Sequence, residues 1–133
     1  MRGLGCATVT GDRISARGHE FAGGFSNKDG LARQLHEAGG ATGDRNWRLP
    51  IGPAYDKLIN SPIADMKNIG GRPAGSITAA QFLKRFVQKD MPWIHLDIAG
   101  VASVKAETAL APAGATGWGV SALSRLVADK FEG

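Results

Sequence analysis

Few residues in this chain have types and spacings suited to chemistry. In Trp93-Ile94-His95-Leu96-Asp97-Ile98, His95 and Asp97 stand two apart, so an extended strand would put them on one face. A histidine beside a carboxylate can orient a metal ligand or move a proton. No third ligand stands at a matching spacing. His19 and His36 lack ligand-type residues four positions on, and His19-Glu20 stops short of H-E-x-x-H. The pair therefore reads first as a buried, hydrogen-bonded element of a core.

Two glycine motifs suggest anion binding and fall short of it. Gly70-Gly71-Arg72-Pro73-Ala74-Gly75-Ser76 has the glycines and hydroxyl of a phosphate loop, but the lysine before the hydroxyl is missing. It reads as a tight turn feeding a helix with Ser76 as N-cap. Gly117-Trp118-Gly119-Val120-Ser121-Ala122 fits G-x-G-x-x-A, yet the chain ends before an acid could stand about 20 residues on. This motif and Gly3-Leu4-Gly5 read as close packing. Ser26 lies in Gly-Phe-Ser-Asn, not in G-x-S-x-G, and Cys6 has no histidine at a diagnostic distance.

The elements that would position these residues come from periodicity. Leu31, Ala32, Leu35 and Ala38 predict a helix, started by Asn27 or Asp29 and ended by Gly39-Gly40. Ala79, Phe82, Leu83 and Phe86 predict the apolar stripe of a second helix, with Gln81, Lys84, Arg85 and Gln88 opposite and Met91-Pro92 as the stop. A third helix is predicted from about Val120 to Lys130, with Val120, Leu123 and Val127 on its inner face, helped by Leu126. Trp93–Ile98 predicts a strand covered on both sides, and weaker strands are predicted near Ala7–Thr10 and Ala22–Ser26. Strands alternating with helices give an α/β class. About three strands make a small sheet for that class, so the sheet reads as part of a larger one.

Composition narrows the function classes. With 133 residues, 43% of them hydrophobic and 21% charged, the chain has the make-up of one folded domain. Net charge is +4, but the 16 basic residues are scattered, which argues against nucleic acid as the partner. A lone cysteine rules out an internal disulfide, and no run approaches a membrane span. The expectation is a cytoplasmic protein.

Taken together, longer stretches say more than any motif. Ala7-Thr8-Val9-Thr10-Gly11 resembles A-T-L-T-G, and Gly18 with Ala22-Gly23-Gly24-Phe25-Ser26-Asn27 resembles L-G-x-x-x-A-G-x-F-x-N. Gly43-Asp44-Arg45-Asn46-Trp47-Arg48-Leu49-Pro50 resembles G-D/E-x-x-W-R-L-P, and Ala64-Asp65-Met66-Lys67-Asn68-Ile69-Gly70 resembles A-D-x-x-N-I-G. Gly71 to Leu83 is similar to G-R-x-A-G-S-I-T-A-A-x-F-L, Trp93 to Gly100 to W-A-H-L-D-I-A-G, and Gly114 to Gly117 to G-A-T-G. Order and spacing agree from about Ala7 to Lys130 with the leucyl (cytosol) aminopeptidase family.

The resemblance implies an α/β fold, a partial mixed sheet flanked by helices. It implies one incomplete catalytic domain over residues 1–133, the C-terminal part of the family's. The implied activity is release of N-terminal amino acids from peptides by two divalent metals, zinc or manganese. The family's assembly would be a homo-hexamer. The family's metal ligands and catalytic lysine and arginine come from a lysine–aspartate stretch and from N-T-D-A-E-G-R, both upstream of A-T-L-T-G. Neither occurs in this sequence. The expectation is therefore a chain inactive alone, with no catalytic residue and no metal ligand of its own. By motif position, Thr8, Val9, Gly11, Ala99 and Ala102 match the wall of the substrate cleft.

One stretch departs from the family. After Gly11 an apolar helix is usual, whereas Asp12, Arg13 and Arg17 here bring charge. Buried without partners, such charge costs several kcal/mol. Ser103–Pro112 matches no family pattern and reads as a surface loop. The alternative function is a non-catalytic module that binds a partner protein or, with less support, nucleic acid.

Overall fold

A computed structural model describes residues 1–8 and 17–132. Its centre is a four-stranded sheet in the order β1-β4-β2-β3. These are β1 (Gly3–Ala7), β2 (Ala22–Ser26), β3 (Asn46–Arg48) and β4 (Trp93–Asp97). β1 runs parallel to β4, β2 antiparallel to β4, and β2 parallel to β3, so the sheet is mixed. A two-stranded ribbon, β5 (Ser103–Val104) and β6 (Gly114–Ala115), stands apart. The helices are α1 (Asp29–Thr42), the short α2 (Pro53–Asp56) continued by a 3-10 turn over Lys57–Ile59, α3 (Gly75–Lys84) and α4 (Val120–Lys130).

The alternation of β4 splits the core in two, as predicted for a strand covered on both sides. Ile94 and Leu96 face α1 and α4, where they meet Leu31, Leu35, Ala38 and Leu126. Trp93 faces the other side and joins Phe25 and Ala80, with Ile77 and Leu83 of α3 packed on them. All five residues of β4 are buried.

Several local expectations shift. α1 runs through Gly39-Gly40 to Thr42 and ends at Gly43, whose φ of 88° gives the left-handed close. Position 39 is glycine within the helix because a side chain would collide there: a Cβ would sit 2.5 Å from the Asp44 carbonyl oxygen. The residue before α1 is Lys28, and no side chain caps it. Asn27 instead accepts from the Trp93 N–H at 2.8 Å and donates to the Met91 carbonyl at 2.9 Å, tying β2 to the entry of β4.

α3 starts two residues earlier than expected. Left-handed Ala74 (φ 55°) is its N-cap, so Ser76 lies inside it. It also stops at Lys84, well before Met91-Pro92. Its buried residues are Thr78, Ala80 and Gln81, while Phe86, assigned to the stripe, is 68% exposed. Gln81 belongs inside because both ends of its amide find partners. It accepts from the Gly52 N–H at 2.8 Å and donates to Asp56 at 3.1 Å. The inner face of α4 is likewise centred on Ala122 and Leu126, while Val120 and Val127 are exposed. The predicted strand at Ala7–Thr10 is displaced to Gly3–Ala7, and Thr10 lies outside the described residues. β3, β5 and β6 are too short to carry a periodic signal, and the stretch read as a loop at Ser103–Pro112 opens with β5.

Candidate functional site: a cleft wall at the ends of two parallel strands

β1 and β4 are parallel neighbours, with Ala7 opposite Asp97. Both leave the sheet at the same end. The Ile98 N–H donates to the Ala7 carbonyl at 3.1 Å, which holds the two exits side by side. Thr8 therefore follows β1, and Ala99 follows β4, along one rim. In sheets of this kind, crevices at the carboxyl ends of strands are where ligands bind. Thr8 is exposed, and Ala99 and Ala102 are half-buried. Val9 and Gly11, the other two residues assigned to the wall, lie outside the described residues, as do Asp12 and Arg13.

The turn after β4 is fixed at each step. Asp97 Oδ1 accepts from the Ala99 N–H at 3.1 Å. The N–H groups of Val101 and Ala102 both donate to the Ile98 carbonyl, at 3.0 and 2.9 Å. Thr116 then closes the turn from outside: its N–H donates to the Ala102 carbonyl at 3.0 Å, and its hydroxyl to the Val101 carbonyl at 2.6 Å. Residue types alone did not mark Thr116, although it stands in the Gly114–Gly117 motif. His19 adds a further tie, with Nδ1 2.7 Å from the Gly100 carbonyl. Beside this turn, His19, Asp44, Arg45, Val101, Thr116 and Trp118 help line a depression of about 280 Å³.

His95 and Asp97 are held as core groups. Each is 1% exposed. The His95 ring is stacked with Phe25 and Trp93, at centroid distances of 5.9 and 6.1 Å, and its Nδ1 lies 3.2 Å from the Gly5 carbonyl. The reading as a buried structural pair fits this setting. Gly3 does pack closely, since a Cβ there would come 3.1 Å from Met91. Gly117 and Gly119 do not. They face open space and have φ of 65° and 97°, so they serve the turn into α4 rather than close packing. The Gly70–Gly75 loop also works as a turn, with Gly71 at φ 97° and Gly70 backed against Thr78.

Arg17 is the one residue of the charged departure that is described, and it is half-buried. Desolvation pushes its guanidinium below the usual arginine range. It lies against Gly23, where a Cβ would strike the guanidinium nitrogens. Gly23 in turn pairs with Asp97 across the sheet. The missing side chain at Gly23 is what gives the cation its place.

Metal binding by a pair of divalent ions needs several carboxylates or imidazoles close together. Among the described residues, no three of His, Cys, Asp and Glu converge. The donors among the described residues do not fit a two-metal centre.

Residues 4–124 match the model of the cytosol aminopeptidase family, catalytic domain. The chain belongs to that family. A probable cytosol aminopeptidase of Dinoroseobacter shibae is 62% identical over 127 residues, and one of Caulobacter vibrioides is 58% identical over 128. Each alignment covers 96% of this chain and 26% of the relative, so the chain spans about a quarter of the length of these proteins. Among solved structures, a mutant of the tomato leucine aminopeptidase aligns with a TM-score of 0.86 at 40% identity, over 96% of this chain and 24% of that one. The bottromycin maturation enzyme BotP in complex with Mn aligns with a TM-score of 0.89 at 33% identity, over 93% of this chain and 28% of that one. A mixed sheet flanked by helices is thus this family's catalytic fold. No described helix is long and apolar enough to cross a membrane.

Proposed function

We propose that this chain forms one wall of the substrate cleft of a cytoplasmic, metal-dependent aminopeptidase that releases N-terminal amino acids from peptides. Thr8, Val9, Gly11, Ala99 and Ala102 line the place for the first residue of the substrate. The small side chains at Ala99 and Ala102 leave room for an aliphatic group there. The family's two divalent ions, manganese or zinc, are held by residues outside this chain, where they would activate the attacking water. The complete enzyme works as a homo-hexamer, and this chain alone does not hydrolyse peptides. The observation that carries the reading is the family match over residues 4–124, on a fold whose parallel strands bring Thr8 and Ala99 to one rim.

The test is a chimera in which this sequence replaces the matching quarter of the D. shibae relative. Hydrolysis of a leucine chromogenic substrate that depends on manganese or zinc, and is abolished by a chelator, is the expected result. A folded chimera without chelator-sensitive activity would sink the reading. So would chelator-sensitive activity of the 133-residue chain by itself.

A further inference from the structure

The backbone between Ala99 and Ala102 is pinned from three sides. The Val101 and Ala102 N–H groups donate to the Ile98 carbonyl, the Thr116 hydroxyl donates to the Val101 carbonyl, and His19 Nδ1 lies 2.7 Å from the Gly100 carbonyl. The first tie is local, whereas His19 stands 81 positions before Gly100. A carbonyl oxygen only accepts, so the proton of this bond sits on Nδ1. A peptide unit is planar, so holding the Gly100 carbonyl holds the whole Gly100–Val101 unit, the middle one of the three that link Ala99 to Ala102. Glycine leaves that unit freer to rotate than another residue would, so the hold matters most there.

The aim of the ring is set by its neighbours. Gly18 turns the chain left-handed just ahead of His19, with φ 56°. Glu20 pairs with Arg45 at 2.8 Å, and the Arg45 guanidinium lies 4.6 Å over the Phe21 ring, so the residues after His19 are anchored at the entry to β3. Gly100 is buried, but His19 itself is exposed. Its side chain therefore gives the turn a directed bond and adds little to the core.

We propose that His19 is a positioning residue for the substrate cleft. By holding the Gly100 carbonyl, it sets where Ala99 and Ala102 stand against the first side chain of the peptide, and with that the preference for an aliphatic first residue over glycine. The proposal rests on the functional reading above.

The test is made in the chimera, with leucine and glycine chromogenic substrates. His19→Leu keeps bulk and removes the donor, while His19→Asn keeps a donor near the place of Nδ1. His19→Leu should raise KM for the leucine substrate about threefold or more, and should change kcat, and KM for the glycine substrate, by less than about twofold. His19→Asn should bring the leucine KM back to within about twofold of the parent. Glu20→Gln breaks the neighbouring ion pair without touching Gly100, and should leave both constants as they were. Amide exchange gives a reading that does not need hydrolysis. The Val101 and Ala102 amides should exchange about tenfold or more faster in His19→Leu than in His19→Asn, with the Leu96 amide of β4 unchanged. Equal losses on the two substrates, no recovery in His19→Asn, the same effect from Glu20→Gln, or equal exchange would each overturn the proposal. If His19→Leu does not fold, His19→Asn decides alone: a leucine KM within about twofold of the parent supports the proposal, and a larger rise overturns it. Faster exchange in a chimera without hydrolysis would leave the hold of His19 on the turn standing and sink the cleft reading. Chelator-sensitive hydrolysis indifferent to His19 would do the reverse.

Discussion

The Thr116 hydroxyl donates a 2.6 Å hydrogen bond to the Val101 carbonyl, joining the Gly114–Gly117 turn to the turn after β4. The turn that carries Ala99 and Ala102 is therefore braced by a residue 15 positions beyond Val101. Thr116→Val keeps the shape and removes the donor. It should lower stability by about 1 kcal/mol, read as a lower urea midpoint with an unchanged slope. In the chimera it should raise KM for a leucine substrate more than it lowers kcat. An unchanged midpoint would show that the bond carries no net weight.

Adjacent glycines of α1 should respond with opposite signs. At Gly39, a Cβ would lie 2.5 Å from the Asp44 carbonyl oxygen and 2.8 Å from Asn46 Nδ2. Gly39→Ala should cost about 1–3 kcal/mol, because one contact is backbone and cannot swing away. Gly40 faces open space within the same helix, so Gly40→Ala should stabilise by up to about 1 kcal/mol. Thermal melts of the two variants check this, and matching shifts would contradict the packing described.

Asp56 carries the clearest pH dependence. Its hydrogen bonds to Arg85, at 2.8 and 3.1 Å, hold its carboxyl below the usual aspartate range, against a smaller opposing push from burial, with help from Gln81. A carboxyl whose folded pKa is depressed adds stability at pH above its unfolded value of about 4, and loses it as pH falls through the lower folded value. The wild type should thus lose more stability than Asp56→Asn between about pH 5 and pH 2. Parallel curves for the two proteins in urea titrations would show that this pair does not contribute. The pair is partly exposed, so a small difference is expected.

The cleft reading predicts a steric effect at Ala102. In the chimera, Ala102→Phe should fill the space for the first side chain and cut kcat/KM for a leucine substrate at least tenfold, about 1.4 kcal/mol or more. Activity on a glycine substrate should fall less. Equal losses on both substrates would point to a folding defect or to a wall elsewhere.

The sequence by itself determined the strand expected at Trp93–Ile98 and found over Trp93–Asp97, the span of α4, the class of the fold and the family, because each rests on local periodicity or on long motifs in order. It also marked Thr8, Ala99 and Ala102, by resemblance to the family and not by any chemistry of threonine or alanine. Tertiary structure decided the rest. Gln81 reads as a surface residue until Gly52 and Asp56 come to meet its amide. Gly39 reads as a helix stop, but it lies inside α1 and is glycine because the Asp44 backbone closes against it. Thr8 and Ala99 are 91 positions apart, and only the parallel pairing of β1 with β4 sets them on one rim. Periodicity reports which residues of an element share a face. Which face is buried, and which strand edge is left open, depend on contacts between elements that a local pattern does not encode.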